Sequence, residues 1–183
     1  MRRIIVFNMV TVDGYFAGPD GNIDWHTVDE EFNEFAIKQT SEFGTLMFGR
    51  TTYDLMKSYW PTEGALKDDP TVAKLMNETP KIVFSKSIKN ATWQNTVVID
   101  EIDTAAIKKL KEEEGKDMAI FGSGQIVQQF ANLDLIDEYR LMVSPVVLGE
   151  GKLLFKGVKK TDLKLVNSRT FGNGNILLYY QPK

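Results

Sequence analysis

The sequence predicts an α/β fold in which helices cover both faces of a mostly parallel central sheet and antiparallel strands complete the sheet at the C-terminus. Three observations support this prediction. Short apolar runs alternate with segments of helical periodicity along most of the chain. One run passes directly into a helical pattern through Gly122-Ser123-Gly124. The last two strand-like runs are separated by the turn residues Gly172-Asn173-Gly174-Asn175, which is typical of a hairpin.

The N-terminal part begins with a strand and a long irregular loop. Ile4–Val10 is apolar and rich in β-branched residues, as a central strand requires, and Asp13-Gly14 ends it. The loop that continues to Trp25 is dense in Gly, Pro, Asp and Asn. A helix from about Asp29 to Thr40 follows, because its apolar residues recur at helical spacing.

The remaining elements are predicted from the same two patterns. Leu46–Phe48 is a second short buried strand, and Thr51 or Thr52 is expected to cap the helix after it. Tyr59-Trp60-Pro61 opens a polar loop. The other predicted strands are Lys81–Phe84, Thr96–Ile99, Met118–Phe121, Leu135–Val143, Leu163–Phe171 and Ile176–Tyr180. The other predicted helices are Pro70–Asn77, Asp103–Glu114 and one that carries Ile126, Val127 and Phe130.

Composition limits the chemistry. With 183 residues, 43% of them hydrophobic, the chain is expected to form one domain, residues 1–183. The absence of cysteine excludes disulfides, thiol nucleophiles and thiolate metal sites, and a single histidine leaves little for a metal cluster or a Ser-His triad. A net charge of -3 without a long basic block argues against a nucleic-acid partner. No stretch can span a membrane and no signal-peptide pattern is present, so a cytoplasmic protein is expected.

The junction Gly122-Ser123-Gly124 has the features of an anion site. Glycine lets a ligand approach the backbone, and the unpaired amides of the first helical turn point outward at the positive end of the helix dipole. The third glycine of the dinucleotide fingerprint is missing, because Val127 stands at its position. A phosphate site and an ordinary tight turn therefore both fit this motif.

Two further strand ends carry similar groups. Gly49-Arg50-Thr51-Thr52 follows one strand and Ser85-Lys86-Ser87 follows the next. Arg50 can bind phosphate as a planar fork and Lys86 as a point charge, although either can also be a plain surface cation. In an open parallel sheet ligands bind at the carboxyl ends of the strands, so the three strand ends together predict a site for a polyanionic cofactor.

With these motifs in order, the chain resembles the dihydrofolate reductase superfamily. Within it the chain is most similar to the C-terminal reductase domain of the bifunctional riboflavin biosynthesis protein (RibD), in its stand-alone bacterial form. The matching segments are Thr11–Gly14, Asp24-Trp25, Met47–Tyr53, Ile82–Ser87, Phe121–Gln125, Leu135–Arg140 and Ser144–Gly151. They extend over nearly the whole chain. No deaminase segment precedes them, so a stand-alone reductase is expected.

The resemblance implies NADPH as the cofactor and hydride transfer to a C=N or C=O carbon of a pyrimidine- or pterin-like substrate, as in 5-amino-6-(5-phosphoribosylamino)uracil reductase. It also implies a set of cofactor-binding residues. Those residues are Asp13 and Gly14 at the nicotinamide, Gly49, Arg50, Thr51, Thr52, Ser85, Lys86 and Ser87 on the adenosine side, and Gly122, Ser123, Gly124, Gln125 and Ile126 at the pyrophosphate. Gln125 departs from the basic residue that the folate branch has there.

The same resemblance places a proton-donating acid at the start of the helix after Trp25. Asp29, Glu30 and Glu31 all stand near that place, and Glu30 has the matching offset. Glu30 and Asp29 are the candidates, and the alternative is that these acids only complement the helix dipole. Trp25 and Trp60 are candidates for walling a substrate ring, with core packing as the alternative.

The same part of the sequence was also compared with the patterns of other functions, which are a calcium site, a substrate contact by histidine and a non-catalytic binding protein. Asp20, Asn22, Asp24 and Glu31 have the spacing of a calcium loop, but Trp25 stands where that loop requires glycine, so no metal site is predicted. His26 can touch substrate or simply be solvated. A non-catalytic nucleotide-binding or interaction protein on the same fold is the alternative function. The resemblance and the apolar run Leu141–Leu148 also predict a homodimer through the C-terminal strands.

Overall fold

The computed structural model describes residues 1–183 and contains ten strands and six helices. The strands are β1 (Ile4–Thr11), β2 (Tyr15–Ala17), β3 (Phe43–Gly49), β4 (Lys81–Phe84), β5 (Thr96–Ile99), β6 (Asp117–Phe121), β7 (Glu138–Ser144), β8 (Lys152-Leu153), β9 (Leu163–Thr170) and β10 (Ile176–Pro182). The helices are α1 (Glu30–Ser41), α2 (Arg50–Tyr59), α3 (Glu63–Asp68), α4 (Pro70–Glu78), α5 (Thr104–Glu112) and α6 (Gly124–Asn132).

Eight strands form one sheet in the order β5-β4-β3-β6-β1-β7-β10-β9. The first six in that order are parallel to their neighbours, and β10 pairs antiparallel with both β7 and β9. The predicted α/β fold, with its mostly parallel sheet and antiparallel C-terminal strands, is confirmed. β2 and β8 form a separate two-stranded ribbon beside the end of β1.

The core is divided by the sheet. On one face, α5 and α6 pack on alternate residues of β1 and β6, and Ile107, Val127 and Phe130 are almost completely buried there. On the other face a second cluster contains Tyr53 of α2 and Met76 of α4. A third, smaller cluster under α1 combines Phe35 with Met142 and Leu177. Each face thus has a helix layer, as strands buried on both faces require.

Lys81 is a charged residue inside this core. Its side chain is buried, and its Nζ donates to the carbonyl oxygens of Met76 (2.8 Å), Asn77 (3.0 Å) and Thr79 (2.6 Å), at and just beyond the end of α4. Burial lowers the pKa of Lys81 to about 8. The ammonium therefore satisfies carbonyl groups that a helix end leaves unpaired.

Several predicted elements differ from the observed ones. α3 lies in the segment predicted to be a polar loop, because the Thr62 hydroxyl accepts from the Ala65 amide and caps a short helix. β2 lies in the loop that was predicted to be irregular, and β8 lies in a segment for which no element was predicted. Leu135 and Ile136 precede β7 instead of belonging to it, and pack in the core from a turn. Neither Thr51 nor Thr52 caps α2, since the helix begins at Arg50 and Gly49 occupies the cap position.

Candidate active site at the carboxyl ends of the parallel strands

Two strand-to-helix junctions are hydrogen-bonded to each other. The Ser123 hydroxyl accepts a hydrogen bond from the Gly49 amide (2.8 Å), and the Ser123 amide donates to Thr52 Oγ1 (3.0 Å). Gly49 ends β3 and Ser123 precedes α6, and β3 and β6 are neighbours in the sheet. The N-termini of α2 and α6 therefore lie side by side, with the positive ends of both helix dipoles at the same edge of the sheet.

Glycine makes this close approach possible. A Cβ on Gly49 would lie 3.1 Å from Ile126, and a Cβ on Gly122 would lie 3.1 Å from Thr52. Gly122 and Ser123 both adopt left-handed backbone, with φ of 56° and 57°. Because that conformation is unfavourable for serine, the two hydrogen bonds of Ser123 hold it in place. The packing of the two junctions on each other thus requires the glycines.

The first-turn amides at these junctions are available to a ligand. The backbone N–H groups of Gly124 and Gln125, in the first turn of α6, have no intrahelical partner, and neither does that of Thr51 in the first turn of α2. Such amides at the positive end of a helix dipole bind anions. Phosphate chemistry therefore fits this donor set.

The two predicted cations lie at the strand ends, each beside an acid. Arg50 is 57% exposed and its guanidinium is 3.5 Å from the Asp54 carboxylate, while Lys86 Nζ lies 2.9 Å from the Glu101 carboxylate and that pairing raises the pKa of Lys86. Lys86 also borders a cleft of about 320 Å³ at the ends of β4 and β5. The cleft is lined by Ser85, Lys86, Ile88, Lys89, Val98, Asp100 and Glu101.

Asp13 fastens the loop after β1 to the segment after β7. Its carboxylate accepts from Thr11 Oγ1 (2.6 Å), the Gly149 amide (2.7 Å) and the Leu148 amide (3.3 Å), and these bonds lower the pKa of Asp13. The Thr11 hydroxyl in turn accepts from the Tyr15 amide at 3.0 Å. Asp13 and the neighbouring Gly14 therefore lie at the end of β1, as predicted, with the carboxylate occupied inside the chain.

Phe16, which the sequence did not single out, lies against the N-terminus of α6. A Cβ on Gly124 would come within 2.5 Å of Phe16 Cε1 and 2.6 Å of Cζ, so only glycine leaves room for the ring. The aromatic ring thus covers the start of the helix whose amides are free. No local sequence pattern predicts this contact, because Phe16 and Gly124 are far apart in the chain and come together only in the folded protein.

The three acids near the start of α1 have different environments. Asp29 is the N-cap, and its carboxylate accepts from the Phe32 amide at 2.9 Å. Glu30 is exposed and its side chain has no hydrogen-bond partner in the chain. Glu31 accepts from Arg169 Nη2 and from the Gly172 amide, both at 2.8 Å, which lowers the pKa of Glu31. Glu31 therefore joins α1 to the hairpin formed by β9 and β10.

Aromatic side chains lie on the face of the sheet that α1 covers. The ring of Phe7 lies 5.9 Å from that of Phe35 and 5.8 Å from that of Phe121, so β1, α1 and β6 meet through aromatic contacts. Trp25 packs on the cluster under α1, whereas Trp60 packs on the cluster under α2 and α4 and donates from Nε1 to Met56 Sδ at 3.2 Å. The structure therefore places the two predicted tryptophans in different clusters.

Five buried polar atoms without a hydrogen-bond partner belong to the segment around Trp25, the end of β7 and the turn before β10. The atoms are Trp25 Nε1, His26 Nε2, Ser144 Oγ, Asn173 Nδ2 and Asn175 Oδ1. Asn175 Nδ2 donates to the Thr27 carbonyl at 3.2 Å, which joins the tryptophan segment to the turn. Burial lowers the pKa of His26 to about 4, so its imidazole is neutral at pH 7. Unsatisfied buried groups are rare in native proteins, and a ligand or water at this place would supply the missing hydrogen bonds.

Comparison with known proteins identifies relatives of the whole chain. The RibD C-terminal domain family model matches residues 2–177. The uncharacterised protein YyaP of Bacillus subtilis (strain 168) is 36% identical over 182 residues, covering 98% of this chain and 94% of YyaP. YwjB of the same strain is 31% identical over 184 residues, covering 98% and 97% of the two chains.

Solved structures share the fold. A putative riboflavin biosynthesis protein from Shewanella sp. PV-4 aligns with a TM-score of 0.75 at 23% identity over 99% of both chains. A pyrimidine reductase-like protein from Corynebacterium diphtheriae aligns with a TM-score of 0.70 at 15% identity, over all of this chain and 92% of its own. The Thermotoga maritima deaminase and 5-amino-6-(5-phosphoribosylamino)uracil reductase aligns at 0.70 and 17% identity, and 57% of that longer chain is covered.

Proposed function

The chain belongs to the RibD C-terminal domain family, and on that premise we propose that it is an NADPH-dependent reductase of a small pyrimidine- or pterin-like heterocycle. The observation that carries the proposal is the pair of hydrogen bonds from Gly49 to Ser123 and from Ser123 to Thr52. They bring two helix N-termini to one edge of a parallel sheet, which is where dinucleotides bind in open α/β folds. NADPH, when bound, supplies the hydride for the reduction of a C=N or C=O carbon.

The residues of the chain would bind the cofactor along the ends of β3, β4 and β6. The free amides of Gly124 and Gln125, with Ser123 and Ile126 beside them, suit a pyrophosphate. Gly49, Thr51 and Thr52 lie next to them, and Arg50 can meet a 2′-phosphate as a fork. Ser85 and Lys86 line the cleft of about 320 Å³, and the Ser87 hydroxyl lies 3.3 Å from that of Ser85, so these residues suit the adenosine part.

The substrate would lie at β1, beside the cofactor, against the aromatic side chains on the sheet face that α1 covers. Phe7 is partly exposed and its ring packs on those of the buried Phe35 and Phe121, so the three rings form an apolar floor beneath a flat heterocycle. Asp13 and Gly14 hold the loop after β1 in place beside this surface. Glu30, whose carboxylate has no partner in the chain, can deliver a proton to the reduced ring, and Asp29 fixes the helix that carries Glu30. Trp25 covers the ring from the segment before α1.

A homodimer is the second part of the proposal. β9 is the edge strand of the sheet and almost all of its side chains are exposed, among them Leu165 at 50% and Val166 at 43%. Ile176 on the neighbouring β10 is 40% exposed. An open, apolar edge of this kind suits pairing with a second copy. Sedimentation at micromolar concentration tests it, and a monomeric mass would overturn it.

The cofactor proposal is tested by titrating the protein with NADPH and with NADH while recording tryptophan fluorescence. Arg50→Ala is expected to weaken NADPH binding by about tenfold, with little change for NADH, because a charge-assisted hydrogen bond to a phosphate contributes about 1.5 kcal/mol or more. Lys67→Ala removes an exposed lysine of α3 and serves as the matched control. No binding of either nucleotide by the native chain would refute the reductase function and favour an interaction protein on the same fold.

A further inference from the structure

The ends of β1, β7 and β10 carry a row of buried polar side chains on the face covered by α1. Thr11 pairs with Ser144 across β1 and β7, and Val143 pairs with Ile176, so Asn175 lies opposite Ser144. The three side chains are 2%, 1% and 0% exposed. Residues paired in this way point to the same face of a sheet. We call Thr11, Ser144 and Asn175 the polar row.

Only part of the polar row is satisfied within the chain. The Thr11 hydroxyl donates to Asp13 and accepts from the Tyr15 amide, so its bonding capacity is used. The Ser144 hydroxyl has no partner, and neither does Asn175 Oδ1. Because the Asn175 amide nitrogen donates to the Thr27 carbonyl, the orientation of the amide is fixed and Oδ1 is the atom left over. An unpaired buried polar atom is destabilising, and a bound ligand that pairs with it recovers that loss.

The polar row lies within reach of the proposed substrate position. Met9, Met142 and Leu177 form the next row toward the middle of the same face, and Trp25 packs on them with Phe35. β1 separates β7 from β6, where the glycine junction begins. Neighbouring strands are about 4.8 Å apart, so a flat ring over the end of β1 lies one strand spacing from the glycine junction on one side and one from Ser144 on the other.

On these grounds we infer that Ser144 and Asn175 are specificity-determining residues that bind the lactam edge of the substrate, that is, a ring N–H next to a ring carbonyl. The inference rests on the proposed function. Asn175 Oδ1 can only accept, so it selects a ring N–H, and the Ser144 hydroxyl can donate to the adjacent carbonyl. A ring that lacks the N–H leaves Asn175 Oδ1 buried and unpaired, and such sites discriminate strongly.

The segment from Trp25 to Thr27 packs beside the polar row. The hydrogen bond from Asn175 Nδ2 to the Thr27 carbonyl, at 3.2 Å, fastens this segment to the row. Trp25 Nε1 and His26 Nε2 are also buried without partners, so the inner surface of the segment carries polar atoms of its own. The segment therefore has to move aside for a ligand to enter, and it would close on a bound ring.

The test uses 5,6-diaminouracil, which has ring N–H groups beside its carbonyls, and its 1,3-dimethyl derivative, in which methyl groups replace those hydrogens. Binding is measured by calorimetry and by the indole N–H resonance of Trp25, with and without NADPH. Ser144→Ala is expected to raise the dissociation constant for 5,6-diaminouracil about tenfold, and Asn175→Leu at least as much. The dimethyl derivative is expected to bind the native chain about tenfold more weakly, and its affinity is expected to change little in Asn175→Leu, because it has no ring N–H for Asn175 Oδ1 to accept from.

Ser144→Ala removes a hydroxyl that bonds to nothing in the chain, so the variant is expected to fold even if Asn175→Leu does not. Asn8→Leu is the matched control, because Asn8 Oδ1 is also buried and unpartnered but lies on the opposite face of β1. Equal binding of 5,6-diaminouracil by the native chain and by Ser144→Ala overturns the inference, and so does a failure of the native chain to bind it. NADPH binding is scored separately in the same samples, so a failed cofactor proposal is recognised independently.

Discussion

The Ser123 hydroxyl accepts a hydrogen bond from the Gly49 amide at 2.8 Å, and so joins the start of α6 to the end of a strand 74 residues earlier in the chain. Ser123→Ala is expected to lower the free energy of unfolding by about 1–2 kcal/mol and to weaken NADPH binding, because the two helix N-termini lose their shared hydroxyl. Ser123→Gly is expected to cost less, since glycine adopts the left-handed backbone without strain. Urea denaturation of the three proteins measures the difference, and equal stability of the alanine and native chains would contradict it.

Gly124→Ala places a methyl group against the Phe16 ring, where 2.5 Å separates the ideal Cβ from Phe16 Cε1. The substitution is expected to destabilise the protein by about 1–3 kcal/mol, as overpacking does. Phe16→Ala in the same chain is expected to recover part of that loss, and a double-mutant cycle by denaturation measures the coupling. Gly64→Ala in α3 is the control, with 3.7 Å to its nearest atom and an expected gain of about 0.5–1 kcal/mol. Strict additivity of the two substitutions would show that the ring does not press on Gly124.

Under the proposed function Glu30 is the proton donor, whereas Glu31 joins α1 to the hairpin of β9 and β10. Glu30→Gln is expected to leave the urea midpoint unchanged and to reduce turnover about a hundredfold, because it removes a proton donor. Glu31→Gln is expected to lower the urea midpoint, since the carboxylate that binds Arg169 and the Gly172 amide loses its charge. Unreduced turnover in Glu30→Gln would exclude Glu30 as the proton donor and leave water in that role.

His26 makes stability depend on pH. Burial lowers its pKa from 6.5 to about 4, so between these values the unfolded chain binds the proton and the folded chain does not. Stability is therefore complete above pH 6.5 and is lost as the pH falls toward 4, by on the order of 3 kcal/mol. His26→Gln is expected to flatten this part of the profile, measured by urea denaturation at pH 7, 5.5 and 4.5. Parallel profiles for the two proteins would mean that His26 is protonated in the folded state.

The parts of the fold that could be predicted from the sequence are those set by local pattern. Lys81–Phe84 and Thr96–Ile99 are strands at the predicted bounds, because short apolar runs between polar turns have few alternatives. The local pattern gave a wrong prediction where a contact between distant segments determines the structure. Thr52 fits a helix cap, yet its hydroxyl accepts from the Ser123 amide across the sheet.

The candidate site likewise has parts that could be predicted from the sequence and parts that could not. Its glycine junctions and cations follow strands in the sequence, so their meeting at one edge could be predicted from the parallel order alone. Phe16 and Asn175 could not be found, because one meets Gly124 and the other meets Thr27 only when distant segments pack together. Buried atoms without partners are visible only once burial is known.

The strand order has a consequence for how the protein is made. β1 leaves the ribosome first, but its partners are β6 and β7, where Ile4 pairs with Met118 and Ile5 with Glu138. Contacts between segments so far apart in the chain form slowly. At about 5–20 residues per second, translation of the intervening chain takes several seconds, during which the apolar β1 has no partner strand. The centre of the sheet is thus expected to assemble only after β6 and β7 have been made, and until then the apolar first strand is exposed to aggregation.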